Sequence, residues 1–193
     1  MKRSILRRCF FEFSLRFNMS EKPEIAQLGA DILRQQAREV DDFSCPKFLA
    51  LVETLQAVMR DSNGVGIAAP QIGESWQIVI IASRPTTRYP HAPDMPAVVM
   101  VNPSYQILNT SLQKDWEGCL SVPGIRALVP RYQSVKVDYQ NLLGEHEQMV
   151  LEDFPARVFQ HEFDHLQGLV YLDRVESNRD IVSEVEFFKR IAA

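Results

Sequence analysis

Hydrophobic residues recur at three- and four-residue intervals over residues 46–61. Since an α-helix has 3.6 residues per turn, this spacing places them on one helix face. Ser44-Cys45-Pro46 supplies a capping position and a proline suited to the first turn. The pattern predicts an amphipathic packing helix that ends near Asp61 and carries no chemistry. Its apolar face consists of Phe48, Leu51, Val52, Leu55, Val58 and Met59.

The middle of the chain has short runs of β-branched and other apolar residues, which favour strands. Trp76–Ala82 is the clearest run, and Ala97–Val101 is a second that Asn102-Pro103 is expected to stop. Four prolines over residues 84–96 predict a loop between these two runs. Further short strands are predicted at 105–108, 125–129, 135–139 and 148–151, with a turn over 141–144.

Helical spacing returns towards the end of the chain. Residues 178–191 carry Ile181, Val185, Phe188 and Ile191 on one face and predict a second amphipathic helix. Residues 24–40 have too few apolar residues for a helix and predict an extended or turn-rich entry segment. Strands in the middle with a helix near each end indicate an α+β fold.

A third helix is predicted between the last strand and the terminal helix. Asp153 suits its N-cap, Pro155 its first turn and Gly168 its C-terminal stop. Its apolar face carries Phe154 and Val158 and continues through His161 and His165. We therefore expect antiparallel strands packed around this central helix, with two histidines on its buried side.

The histidines belong to the pattern H-E-x-x-H, formed by His161, Glu162 and His165. Residues four apart on a helix point the same way, so both imidazoles can bind one divalent metal. Glu162 lies beside that metal and is suited to accept a proton from a water molecule. Two histidines at this spacing also occur as an ordinary surface pair. The glutamate and the apolar face favour the metal site.

A catalytic metal site usually has three protein ligands and one open position. Cys119 in E-G-C-L-S is one candidate for the third ligand, and Glu184 or Glu186 is the other, as in zinc peptidases of the gluzincin type. A third histidine at the next regular position is excluded because Tyr171 stands there. The residues alone leave this choice open. A structural metal domain without catalysis is a further alternative, and it requires a closed fourth position.

The stretch G-V-G-I-A-A-P-Q at residues 64–71 matches the loose dinucleotide-binding fingerprint. A helix precedes it instead of a strand, and Pro70 interrupts the helix that should follow. We therefore reject a dinucleotide site here. The small residues are expected to let a substrate backbone approach closely.

Composition narrows the class of protein. The chain has 193 residues, 46% of them hydrophobic and 24% charged, as in a globular protein with one sizeable core. A net charge of −4 argues against nucleic acid as the main partner, and no apolar run approaches a membrane span.

Residues 1–18 differ from the rest because five basic residues face a single acid. Charged residues interrupt their apolar positions, so a secretory signal is not expected. Two interpretations stay open: an organelle transit segment, or a dispensable extension upstream of a start at Met19. Residues 19–193 are expected to form a single catalytic domain.

Three motifs, G-V-G-I-A-A-P-Q at 64–71, E-G-C-L-S at 117–121 and Q-H-E-F-D-H-L-Q-G at 160–168, together resemble those of peptide deformylase. The likeness extends from about Ile25 to Arg190. It implies an enzyme that removes the N-formyl group from the N-terminal methionine of newly made proteins and releases formate. It also implies that Cys119, His161 and His165 bind the metal.

The resemblance assigns further roles. Glu162 is implied to be the catalytic acid and base, with the Gln71 amide and the Leu120 backbone N–H stabilising the developing oxyanion. Substrate binding is implied for four residues of the first two motifs, Gly64, Gly66, Glu117 and Gly118. Arg157 departs from those family members that have an apolar residue lining the methionine pocket.

The family usually works with Fe²⁺, and Zn²⁺, Ni²⁺ or Co²⁺ substitute. The implied partners are N-formyl-methionyl nascent peptides and, transiently, the ribosome, with no direct contact to nucleic acid or membrane. The expected location is the bacterial cytoplasm, or an organelle if residues 1–18 are a transit segment.

Overall fold

The computed structural model describes residues 23–85 and 89–191. The predicted extension at residues 1–18 lies outside this part of the chain. Three α-helices and six strands are found in it, with 3-10 turns between them. The helices are α1 (Pro46–Asp61), α2 (Asp153–Leu166) and α3 (Glu184–Ile191), and the strands are β1 (Gly66–Ala68), β2 (Ile78–Ser83), β3 (Met95–Cys119), β4 (Val122–Gln140), β5 (His146–Glu152) and β6 (Ile181–Ser183).

The strands form one antiparallel sheet in the order β1-β2-β3-β4-β5, and β6 pairs with β4. Alternate side chains of a strand point to opposite faces of the sheet, and all residues of β2 are buried, so both of its faces are covered. Ile78 and Ile80 pack in the cluster that contains α1, while Val79 and Ile81 pack in the cluster that contains α2. This explains the uninterrupted apolar run of β2, and it confirms the α+β class with α2 against the sheet.

The predicted stop at Asn102-Pro103 is wrong. Residues 95–119 form one strand, and its register with β4 shifts between Val101 and Ser104. Asn102 has a φ of +49° at this irregularity, and its side chain bonds the backbone N–H and C=O of Val40. An asparagine that tolerates positive φ thus bends the strand without ending it.

Other predicted strands were also too short. The segments 125–129 and 135–139 belong to the single strand β4, and 148–151 lies within β5. The turn over 141–144 is confirmed by the hydrogen bond from the Gly144 N–H to the Asn141 carbonyl. The short strands β1 and β6 were not predicted. Residues 178–183 form a 3-10 turn and β6 rather than the start of the terminal helix, because β6 pairs with Ile125–Ala127.

The ends of α2 follow the prediction with one correction. Glu152, not Asp153, is the N-cap, and its side chain makes no capping bond. Asp153 is instead the first helical residue, with a φ of +48°. The C-terminal stop is confirmed: Gly168 has a φ of +73°, and the Leu169 N–H bonds the Asp164 carbonyl.

The entry segment contains a 3-10 turn at Asp31–Arg34 and is otherwise irregular up to α1, as predicted. The loop predicted over residues 84–96 ends two residues earlier than expected, at Asp94, because β3 begins at Met95. Within the described residues, no helix is long and apolar enough to cross a membrane.

Candidate metal centre

Three donor side chains converge where the end of β3 meets α2. Cys119 is the last residue of β3, and His161 and His165 lie one turn apart on α2. Their ligand atoms all lie within 4.8 Å of one another, and Cys119 Sγ is 3.3 Å from Nε2 of His165. Metal–ligand bonds of about 2.0 Å to nitrogen and 2.3 Å to sulfur put tetrahedral ligand atoms roughly 3.5 Å apart. The donor set and its spacing therefore fit a divalent metal.

The alternative ligands do not join this group. Glu184 accepts a hydrogen bond from Nε of Arg126 at 3.1 Å, and Glu186 pairs with Lys189 at 2.6 Å on the surface. Among the residues that the structure describes, the donor cluster is formed by Cys119 and the two histidines. This geometry favours Cys119 over either glutamate.

The carboxylate of Glu117 orients the first histidine, His161. Its Oε2 lies 2.9 Å from Nδ1 of His161, which leaves Nε2 of that ring to face the cluster. Arg131 donates to both carboxylate oxygens at 2.9 and 3.0 Å, and Arg157 donates to Oε1 at 2.8 Å. Burial alone would raise the pKa of Glu117, but the Arg131 charge and the bonds from His161 and Arg131 hold it well below its usual range. Glu117 is therefore a buried, ionised orienting group.

The cysteine and the histidines also influence each other. Burial raises the pKa of Cys119, but the charge of His165 and hydrogen bonds from both histidines outweigh burial and lower it well below its usual value. Burial lowers the pKa of His161, while its bonds to Cys119 and Glu117 raise it well above the ordinary value. A metal held by these residues would therefore displace a proton from the pair.

Gln71 also contacts Cys119. Its Oε1 accepts a hydrogen bond from the Ala68 N–H at 2.8 Å, which fixes the amide and points Nε2 inwards. Nε2 then lies 3.3 Å from Cys119 Sγ and 3.4 Å from Ser121 Oγ. The side chain is buried, so its N–H donors face the metal centre and not solvent.

Glu162 projects into the same space from α2. It is 4% exposed, and its Oε2 has no hydrogen-bond partner among the described residues. Burial raises the pKa of Glu162 to about 7, against the lowering charges of His161 and His165. A carboxyl with this pKa can both accept and release a proton near neutral pH.

A cavity of about 500 Å³ opens onto these groups. The first-motif glycines Gly64 and Gly66 line one side of it, and Gly118 and Leu120 line another. Leu120 lies in the two-residue turn that joins β3 to β4. The cavity is large enough for an amino-acid side chain and adjoining backbone, and the predicted site residues line it except for His165, which is buried.

Comparisons with known proteins agree with this arrangement. The family model of Polypeptide deformylase matches residues 22–180. The chain belongs to this family. Peptide deformylase 2 of Nostoc sp. is 48% identical over 84% of this chain and 91% of its own length. Peptide deformylase 2 of Shewanella oneidensis is 46% identical over 85% of this chain and 90% of its own length.

Solved structures lead to the same family. A class I type b peptide deformylase from Acinetobacter baumannii, crystallised with Met-Ala-Ser bound, has a TM-score of 0.78 and 44% identity, covering 81% of this chain and 99% of that one. Peptide deformylase 1B of Arabidopsis thaliana has a TM-score of 0.72 and 35% identity, covering 81% of this chain and 83% of its own. This deformylase is thus a metal-dependent enzyme that removes the N-formyl group from nascent peptides.

Arg157 of this deformylase lines the cavity, as expected for its place one turn before His161. Its charge is not left unpaired there. Besides Glu117, the guanidinium bonds the carbonyls of Val129 at 2.8 Å and Gln113 at 2.6 Å. The side chain is therefore tied to β3 and β4, and only part of it borders the substrate space.

Sequence reasoning missed the charged groups behind the ligands. Arg131 bridges Glu117 and Asp164, and Asp164 also binds Arg174. These ionic groups connect β3, β4 and α2 behind the metal centre. Asp164, inside the H-E-x-x-H pattern, was the one available signal, because a buried carboxylate on a helix requires a partner.

Proposed function

We propose that this deformylase holds a divalent metal, natively Fe²⁺, through Cys119, His161 and His165, and that Glu162 moves the protons of the reaction. The observation that carries the proposal is the convergence of one thiol and two imidazoles beside a buried carboxylate with an unbonded oxygen. When bound, such a metal supplies Lewis-acid polarisation of the formyl carbonyl and acidification of a water molecule.

Glu162 accepts a proton from the water that attacks the formyl carbon. It then delivers that proton to the nitrogen of the methionine as the C–N bond breaks, so that formate and a free amine leave. A pKa near 7 suits both transfers, because the carboxyl is neither too weak a base nor too weak an acid.

Gln71 and Leu120 stabilise the negative charge that develops on the formyl oxygen. The Gln71 amide is a neutral donor held in place by its bond to Ala68, so it needs no rearrangement when charge appears. The Leu120 backbone N–H is the second donor, at the turn beside Cys119.

The peptide lies along Gly64 and Gly66 on one side and Gly118 on the other, as an added strand beside β1. β1 stands at the edge of the sheet, paired with β2, and its first residue, Gly66, lines the cavity. Glu117 borders the peptide through its backbone only, since its carboxylate is engaged by His161 and two arginines.

Fe²⁺ is proposed as the native ion, with Zn²⁺, Ni²⁺ or Co²⁺ as functional substitutes. Thiolate and imidazole ligands suit each of these ions, so the donor set does not discriminate among them. The preference for iron comes from the resemblance to the family.

The cellular setting follows from the substrate. We propose that the enzyme works in the cytoplasm on nascent chains and contacts the ribosome only transiently. We also propose that residues 19–193 contain the whole catalytic domain. Deleting residues 1–18 should leave turnover and melting temperature unchanged, and a large fall in either would contradict this.

The central test compares Glu162→Ala with Cys119→Ala in formate release from N-formyl-Met-Ala-Ser and in metal content. Glu162→Ala should abolish turnover and keep the metal, because the carboxylate does not coordinate. Cys119→Ala should lose the metal itself. Metal loss in Glu162→Ala, or full metal retention in Cys119→Ala, would overturn these assignments.

A further inference from the structure

We infer that Gly66 is a positioning residue for Glu162: the absence of a side chain at Gly66 is what allows the Glu162 carboxylate to occupy its catalytic place. The inference rests on the proposed role of Glu162 and gives one first-motif glycine a function separate from peptide contact.

The evidence is the close approach of the two residues. A Cβ added to Gly66 would lie 2.3 Å from Glu162 Oε1 and 2.9 Å from both Cγ and Cδ. Non-bonded carbon atoms pack at about 3.5–4.0 Å, so the carboxylate and a methyl group cannot share this space. The side chain of Glu162 therefore packs directly on the Gly66 backbone.

One oxygen of the Glu162 carboxylate, Oε2, is buried and has no hydrogen-bond partner among the described residues. Gln71, by contrast, is fixed by a hydrogen bond from Ala68. At this oxygen the Glu162 carboxylate is therefore restrained by packing, and the Gly66 backbone is a surface against which Oε1, Cδ and Cγ pack.

The backbone of Gly66 does not itself require glycine. It lies in β1, and its φ is not among the positive values found at other glycines of the described chain. Alanine therefore fits the local conformation, and a Gly66→Ala protein should fold. The substitution acts by forcing the Glu162 side chain to move, which a flexible side chain can do at little cost in stability.

Gly64 offers a matched comparison in the same loop and cavity. A Cβ there would meet Ser62 Oγ at 3.2 Å and the Met59 carbonyl at 3.5 Å, and Glu162 is not among its nearest neighbours. If both glycines served only the approach of the peptide, their alanine variants should behave alike. If Gly66 positions Glu162, Gly66→Ala should act mainly on kcat, whereas Gly64→Ala should act mainly on KM.

The experiment uses metal-loaded wild type, Gly66→Ala, Gly64→Ala, Glu162→Ala and the double variant Gly66→Ala/Glu162→Ala. We expect Gly66→Ala to lower kcat by about 10²-fold or more, the scale of a lost general base. Its metal content should stay close to wild type. Gly64→Ala should act mainly on KM and on the Kd for the product peptide Met-Ala-Ser.

The double variant separates the two explanations. Once Glu162 is alanine, the added methyl group has no carboxylate to displace, so Gly66→Ala should no longer act through this contact. Any loss of melting temperature caused by Gly66→Ala in the wild-type background should disappear in the Glu162→Ala background. This melting cycle, a double-mutant cycle measured by melting temperature, does not depend on activity.

Two results would overturn the inference: a wild-type kcat in Gly66→Ala, or an equal loss of melting temperature from Gly66→Ala with and without Glu162. A failure of the proposed function looks different. In that case Glu162→Ala itself would retain turnover, whereas the melting cycle could still reveal the contact between the two residues.

Discussion

Glu117 Oε2 accepts a hydrogen bond from Nδ1 of His161 over 2.9 Å, and Arg131 and Arg157 donate to the same carboxylate. The bond fixes the imidazole tautomer in which Nε2 is free to bind metal. We expect Glu117→Gln to weaken metal binding about 10–100-fold, the usual effect of losing such a partner. Competition against a chelator under native conditions measures this change.

Glu184→Gln is the matched control for that variant. It also removes a carboxylate paired with an arginine at the cavity wall, but its pair with Arg126 does not touch a metal ligand. Its metal affinity should equal that of wild type. Equal metal retention by Glu117→Gln and wild type would show that the negative charge of Glu117 does not contribute to metal affinity.

Gln71→Ala should lower kcat by about 10²–10³-fold, the cost of one lost oxyanion donor. Metal content should stay unchanged, and KM should move far less. Gln71 also accepts a hydrogen bond from the Ala68 N–H, so a loss of stability is the competing explanation for a lower kcat. Gln71→Glu separates the two, since it keeps the oxygen that accepts this bond and loses the N–H donor. A well-folded, metal-replete Gln71→Glu protein with near wild-type kcat would exclude the oxyanion role.

Glu74 should make stability depend on pH. Burial raises its pKa to about 7, although Arg38 opposes this. The folded protein therefore keeps a proton that the unfolded chain has already released, and the free energy of unfolding falls as pH rises from about 4.5 to about 7. Glu74→Gln should be more stable than wild type at pH 8 and about equal to it at pH 5, by urea denaturation at fixed metal concentration. The same gain at both pH values would contradict this origin.

The Fe²⁺-loaded enzyme should lose activity in air and keep it under nitrogen. Both the ferrous ion and the Cys119 sulfur can be oxidised, whereas Zn²⁺ and Ni²⁺ are redox-stable under these conditions. Activity measured over hours in air, for the three loaded forms, tests the prediction. Equal decay in all three would assign the damage to the thiolate.

Local patterns in the sequence were sufficient to predict features that are formed by residues close together in the chain. The spacing of His161 and His165 indicates a shared ligand face because four residues make about one helical turn. The apolar face of α1 is read in the same way. Cys119 is different: it lies 46 residues from His165, and only the likeness of the motifs connected them before the structure was known.

The features that local patterns missed depend on tertiary pairing. Asn102-Pro103 is a strong turn signal, yet pairing with β2 before it and with β4 after it keeps β3 continuous. β6 exists because residues 125–127 of β4 offer a free edge. The resemblance assigned Glu117 to substrate binding, and the contact of its carboxylate with His161 became visible only in the fold. In each case the deciding partner is distant in the sequence.

The proposed metal ligands come from two different elements, and this gives the ion a mechanical effect on the fold. An ion bound by them would tie the end of β3 to the C-terminal half of α2 and so act as a reversible cross-link. Free metal at a hundred times Kd adds about 2.7 kcal/mol to the free energy of unfolding, because only the folded chain assembles the three donors. Chelation should therefore lower the melting temperature and loosen the junction between hairpin and helix, coupling the metal supply of the cell to the lifetime of the enzyme.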